Sequence, residues 1–191
     1  MVWALHQLDK NTSGVVLFAR KKSAVERWQR RWADGQLQKF YIALVHGSLP
    51  TPTVHVDAPI KRLSRRGYTQ VVIDDAGKAA TTELKQLSSC GPYSLVLARL
   101  LTGRTHQIRA HLQHVGCPLI GEKLYNSIPC AHHDRQALHA IALTTDQPPP
   151  LARIEAPFPD DLRTVASKLG IDLAPLDDWM TDPSSPHISA G

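Results

Sequence analysis

From Phe40 to Leu101 the chain breaks into short apolar stretches, each cut off by Gly, Pro or Asp before it could reach helical length. Phe40–Val45, Thr69–Ile73, Thr81–Leu87 and Leu95–Leu101 have the length and apolar content of strands. Between them stand Asp74-Asp75-Ala76-Gly77 and Cys90-Gly91-Pro92, turn sequences too short for a crossover helix. Strands joined this tightly pair antiparallel, so the spacing predicts one mostly antiparallel sheet. Leu49–Thr53 is Pro-rich and reads as a loop.

The flanks supply helices, which makes the class α+β, a sheet flanked by helices. Gly14–Arg20 reads as one buried strand. After it, Ser23 and Glu26 form a capping-box pattern, with Val25, Trp28 and Trp32 at helical spacing and Asp34-Gly35 as the stop. That spacing favours a core role for both tryptophans, with stacking on bases as the alternative. Thr102–Thr105 ends the strand series and opens a second helix, with Thr105 as its N-cap. Within it Ile108, Leu112 and Val115 form an apolar stripe, His106, Arg109 and Gln113 share another face, and Gly116 closes it. Leu138–Thr145 predicts a strand, Pro148–Pro150 a break and Asp160–Leu169 a short helix. A single domain over 1–170 follows, with 171–191 a tail whose Ser- and Pro-rich end from Pro183 is expected to be disordered.

With 22 basic against 17 acidic residues the net charge is +5. The acids gather late, at Asp160, Asp161, Asp172, Asp177, Asp178 and Asp182, so the first part of the chain is more basic than the total suggests. Basic clusters at Arg20–Lys22, Arg27–Arg31, Lys61–Arg66 and Arg99–Arg109 fit either solvated faces or a polyanion-binding surface. No apolar run approaches the roughly 18–20 residues that cross a bilayer. Lys10, Arg20, Lys21 and Lys22 interrupt the N-terminal apolar stretch too early for a signal peptide. Cys90, Cys117 and Cys130 are too few and scattered for a disulfide framework, which fits a reducing cytoplasm.

His106, His111, His114 and Cys117, followed by Cys130, His132 and His133, are donor types that zinc accepts. His106 and His111 nevertheless stand five apart on a helix, and no CxxC pair exists, so no metal is expected. His106 is then assigned to orienting its loop, and His111 and His114 to an outward face.

Several polar groups have no evident structural task. The stretch HQLDKNTSG, from His6 to Gly14, holds a single acid, Asp9, just ahead of an apolar run. Tyr41 opens a strand after Lys39, and Arg104, Thr105, His106, Gln107 and Arg109 crowd a strand-to-helix junction. A buried acid needs a cation to remain ionised, and arginine is its best planar partner. If Asp9 meets Arg109, the pair is either structural or a carboxylate nucleophile held ready.

HQLDKNTSGVVLFARKKSA resembles the signature of the RluA-type pseudouridine synthases, H-R-L-D, two variable residues, T-S-G and an apolar strand. KFYIALVHG, GKAATTELKQL, LLTGRTHQIRAHLQHVGCPLIGEKLY and LHAIAL are similar, in order, to that family's later motifs, so the resemblance runs from about Leu5 to Leu162. It implies a pseudouridine synthase core with a mixed, mostly antiparallel sheet and the cofactor-free isomerisation of uridine in ribosomal or transfer RNA. It also implies roles: Asp9 as catalytic aspartate on a flipped-out base, Tyr41 packing on the uracil, Arg109 pairing with the aspartate, and Ile108 touching the base. His6, Gln7, Arg104, His106 and Gln107 would surround the substrate. RNA is then the partner and Lys61–Arg66 a clamp for it or a solvated loop; no membrane or metal, a monomer and a cytoplasmic location are expected.

The sequence departs from the family at three places. Gln7 stands where arginine is usual, which bears on base extrusion, and Glu122 replaces the usual aspartate. Members also carry a further stretch with an N-K-P-x-G strand ahead of the aspartate motif, whereas Asp9 here is the ninth residue. Without that strand, the expectation is an exposed sheet edge. The alternative reading of the chain is a non-catalytic RNA-binding remnant.

Overall fold

The computed structural model describes residues 1–65, 68–126, 128, 133–145 and 152–182. The Pro148–Pro150 break, Arg66, Cys130, His132 and the tail from Pro183 lie outside the described residues.

The first elements are β1 (Trp3–Ala4), β2 (Ser13–Gly14), β3 (Phe18–Ala19) and α1 (Lys22–Ala33). The sheet strands follow as β4 (Leu37–His46), β5 (Thr53–Asp57), β6 (Ile60–Arg65), β7 (Tyr68–Ile73), β8 (Thr81–Cys90) and β9 (Tyr93–Leu100). Then come α2 (Gln107–His114), β10 (Leu138–Thr145), β11 (Arg153–Glu155), α3 (Asp160–Lys168) and α4 (Ala174–Thr181). The main sheet runs β11-β10-β4-β9-β8-β5, with β2 added parallel to β10 and the other pairs antiparallel, so it is mixed as well as mostly antiparallel. β6 and β7 form a separate hairpin.

The central strand β4 is buried from Phe40 to Val45, so its alternate side chains enter two cores. Phe40, Ile42 and Leu44 pack with Ile141, Leu162, Val165, Leu176 and Trp179 on one face. Tyr41, Ala43 and Val45 pack with Ile108, Leu112, Leu119 and Leu138 on the other. Hence α2 and the Tyr41 side of the sheet share one layer. Within the stretch read as a tail, α4 sends Leu176 and Trp179 into the first core.

Several local expectations are corrected. Gly14–Arg20 is not one buried strand: β2 leans on β10, β3 pairs with β1, and Phe18 is exposed. The break lies at Gly14, whose φ is +121° and where an added Cβ would stand 2.2 Å from the Ala140 oxygen. The chain turns there because only glycine tolerates both conditions. Helix α1 starts at Lys22, so Ser23 falls inside it and no side-chain cap forms. Trp28 and Trp32 are only half-buried, at the margin of the Val15, Leu37 and Leu143 cluster. The N-cap of α2 is His106 rather than Thr105, in left-handed conformation at φ +54°. Lys61 belongs to a strand, not a loop. His111 does not face outward: it is fully buried, bonded through Nδ1 to Thr82 Oγ1 (2.9 Å) and through Nε2 to the Ala58 carbonyl (3.0 Å).

Candidate active site

The Ser13-Gly14 pair seats a loop that carries Asp9. Ser13 Oγ lies 2.8 Å from His139 Nδ1, Gln136 Nε2 donates to the Lys10 carbonyl (2.6 Å), and Arg135 Nη1 donates to that of Asn11 (3.1 Å). The Thr12 N–H closes the turn on the Asp9 carbonyl at 2.9 Å. At the loop's start, His6 Nε2 accepts from the Leu17 N–H at 3.1 Å. Burial, then the charge of Lys39, lowers the His6 pKa to about 4, so this ring is neutral and serves the loop.

Held in this way, Asp9 Oδ2 lies 3.6 Å from Arg109 Nη1. That is ion-pair range, but too long for a hydrogen bond. The other side of the guanidinium is fully occupied: Nε and Nη2 each donate to Glu122 at 2.7 Å. Glu122 is 1% exposed and also accepts the Leu124 N–H at 2.8 Å. Burial alone would raise the Glu122 pKa and lower that of Arg109, but their mutual bonds and charges reverse both directions. Both groups are therefore ionised.

Tyr41 faces this pair from β4. Burial, then the Asp9 carboxylate, raises its phenol far above the ordinary value, so it keeps its proton. Tyr125 completes the surround: its hydroxyl accepts the Val71 N–H (3.0 Å), sits 2.7 Å from His106 Nδ1, and its ring lies 5.1 Å from the Arg109 guanidinium carbon. One phenol thus ties the β6–β7 hairpin to the N-terminus of α2. His106, held in this contact, also borders the hollow between Asp9 and Tyr41.

Gln107 borders the Asp9–Tyr41 hollow, and its amide is already engaged within the protein. Its oxygen accepts from Thr102 Oγ1 and the Arg104 N–H, and its nitrogen donates to the Thr81 carbonyl and to Thr82 Oγ1, each at 2.9 Å. Its task is to fix the strand-to-helix junction. Arg104, bonded through Nε to the Ala79 carbonyl, and Ile108 do border the Asp9–Tyr41 hollow, a space of about 40 Å³. Asp9, Leu100 and Arg104 also line a much larger cleft of about 560 Å³, which His6, Gln7, Trp32 and Lys39 enter from the other side. Lys39, Glu122 and Tyr125 are residues to which sequence reasoning gave no role at the site, and Trp32 one to which it gave base stacking only as the alternative to a core role. Glu122 and Tyr125 lay in the quoted GEKLY motif, but their contact with Arg109 depends on the chain's return after α2. Among the described residues no group of His, Cys, Asp and Glu could hold a metal ion, and no helix is long and apolar enough to cross a membrane.

The family described as RNA pseudouridylate synthase matches residues 2–114. An uncharacterized RNA pseudouridine synthase of Chloroflexus aurantiacus is 38% identical over 168 residues, which are 86% of this chain and 52% of that protein. Ribosomal large subunit pseudouridine synthase D of Zymomonas mobilis is 34% identical over 87% of this chain and 56% of its own length. The chain thus spans about half the length of these curated relatives. Among solved structures, human RNA pseudouridylate synthase domain containing 1 is similar with a TM-score of 0.71 and 29% identity, covering 82% of this chain and 69% of that one.

Proposed function

The chain belongs to the RNA pseudouridylate synthase family, and from that premise we propose that it converts uridine to pseudouridine in ribosomal or transfer RNA, with Asp9 as the nucleophile. The observation that carries this reading is the Asp9 carboxylate 3.6 Å from Arg109, beside Tyr41 and Ile108 in a hollow that opens to solvent. Arg109 is pinned by Glu122, so it holds Asp9 in place without closing a hydrogen bond over the reacting oxygen. A carboxylate set beside a guanidinium, partly dehydrated and unblocked, is what nucleophilic attack on the ribose or the base requires.

The isomerisation balances without a cofactor. In attack at the ribose, an Asp9 oxygen bonds to C1′ as the C1′–N1 bond breaks. The uracil turns, and C5 bonds to C1′ as the Asp9 ester bond breaks and frees the carboxylate. C5 then releases its proton and N1 takes one. Asp9 is the acid–base group nearest this exchange. Tyr41, which keeps its proton, offers a ring face and a hydroxyl donor rather than a base. The target base must leave its stack, at a cost of a few kcal/mol that stacking and edge contacts in the pocket offset. The exposed cations Arg62 and Lys61 on the β6–β7 hairpin extend the phosphate-binding surface.

The test is pseudouridine formation by the full-length protein in total RNA. Asp9→Asn is expected to abolish it while RNA binding survives; an Asn variant that still forms pseudouridine rejects Asp9 as nucleophile. A wild-type protein that binds RNA and forms none supports a non-catalytic binding role instead. The same reading expects a cytoplasmic monomer.

A further inference from the structure

We infer that the groove between the β6–β7 hairpin and the loop of residues 103–105 holds one backbone phosphate of the RNA, beside the target uridine; this rests on the RNA-modifying reading above. The groove has a volume of about 390 Å³, and neither Asp9 nor Tyr41 lines it. Gly103, Arg104 and Thr105 line both the groove and the Asp9 cleft, so their loop is the ridge between the two. A strand that leaves its uridine at Asp9 and crosses this ridge brings its next phosphate into the groove.

Backbone pairing gives the groove a fixed shape. Ile60 and Lys78 exchange both of their backbone hydrogen bonds, each at 2.9 Å. Gly77 lies so close to them that an added Cβ would stand 2.5 Å from the Ile60 carbonyl carbon. Ile60 and Val71, both buried, make the floor.

The charge on this frame is one-sided. Four of the lining side chains are cationic and none is acidic. Lys61 shares its charge with Asp74, 2.9 Å away. Arg62, Lys78 and Arg104 are exposed and form no ion pair with a carboxylate among the described residues. Arg62 donates from Nη2 to Thr69 Oγ1 at 3.0 Å, and Arg104 from Nε to the Ala79 carbonyl at 2.9 Å, both neutral acceptors. The second bond ties the Arg104 guanidinium to the neighbour of Lys78. A phosphodiester bridging these cations meets two guanidinium groups with N–H donors to spare and one ammonium, and gains charge-assisted bonds that no group of the protein supplies. Continuity with the Asp9 cleft favours a phosphate of the same strand over a free anion.

The experiment uses the single-stranded RNA pentamer AAUAA and four versions of it, each with one linkage replaced by an uncharged methylphosphonate. Each is titrated calorimetrically into the full-length protein. At one linkage flanking the uridine, loss of the charge is expected to weaken binding about tenfold. That linkage should become insensitive in Lys78→Gln and in Arg62→Gln, while the other three cost what they cost the wild type. Lys78→Gln should also reduce the slope of log K against log salt by about 0.7, the value for one phosphate contact on a single strand. Lys168→Gln removes the same charge from the exposed side of α3, outside the groove, and should leave both the penalty and the slope unchanged. A penalty spread evenly over the linkages, one that survives both groove variants, or a pentamer that fails to bind at low salt overturns the site. If the wild type makes pseudouridine but shows no privileged linkage, the site falls alone. If it makes none yet shows the Lys78-dependent linkage, the catalytic reading falls and the site stands.

Discussion

Two arginines of this protein grip a carboxylate with the same fork, and they differ in what the third nitrogen does. Arg109 donates from Nε and Nη2 to Glu122, and Arg135 donates from the same two atoms to Asp161 at 2.7 and 2.9 Å. Arg135 Nη1 is then used on backbone, reaching the carbonyls of Asn11, Leu138 and Gln136 at 3.1, 3.3 and 3.4 Å. Arg109 Nη1 points instead at the Asp9 carboxylate without bonding it. One arginine is scaffold, anchoring the loop of Asp9 from behind; the other keeps a donor in reserve toward Asp9 itself. Burial follows the same division, since Glu122 is 1% exposed and Asp161 45%.

Arg109→Met should therefore give the largest effect. It strands the buried Glu122 charge, a loss of about 3–5 kcal/mol in unfolding free energy. It also removes the group that positions Asp9, so pseudouridine formation should fall about a hundredfold or more. Urea unfolding and turnover on RNA measure both. A variant that keeps its stability would show that Glu122 is satisfied by its backbone donors alone, and the comparison would break.

Arg135→Met comes next and should act differently. Solvent reaches Asp161, so the lost ion pair costs about 1 kcal/mol or less. The loop at Asn11 loses its anchor, and a tenfold or smaller drop in rate is expected from looser placement of Asp9. Substrate affinity should barely move, because Arg135 lines neither of the two hollows beside Asp9. A change in KM with kcat intact would assign Arg135 to RNA contact and reject the scaffold role.

These two pairs were unequally legible in the sequence. Asp9 and Arg109 carry motif signals, and their encounter could be anticipated from a lone acid and a crowded helix start. Glu122, thirteen residues past Arg109, could not be placed so, because its pairing depends on the chain doubling back after Gly116. The strands between Phe40 and Leu101 were readable from turn chemistry, while Gly14 misled: its left-handed φ and its contact with Ala140 are properties of the packed sheet. Ser23 looked like a cap, yet the helix extends to Lys22 because Ala24 N–H already bonds the Lys21 carbonyl at 3.0 Å. Trp32 was spaced for the core and stands instead at its margin, since a pattern shows which side chains share a face but not how wide the covering layer is.

The smallest effect, and the sharpest comparison, lies in the acid limb of stability. Glu122 and Asp161 both have pKa values held below the ordinary carboxylate range. For Asp161 the largest cause is its hydrogen bond from Arg135; for Glu122 burial works upward, and the bonds and charge of Arg109 outweigh it. A carboxyl group whose folded pKa is depressed stabilises the protein fully above its unfolded value and loses that contribution as pH falls through the folded one. Stability should accordingly decline from about pH 4.5 downward. Glu122→Gln should flatten that decline more than Asp161→Asn, because solvent screens the half-exposed Asp161 pair. Urea midpoints between pH 7 and pH 2.5 would resolve the two slopes. Equal flattening would mean that the buried fork stabilises no more than the exposed one, and that Arg109 is held by packing against Tyr125 rather than by charge.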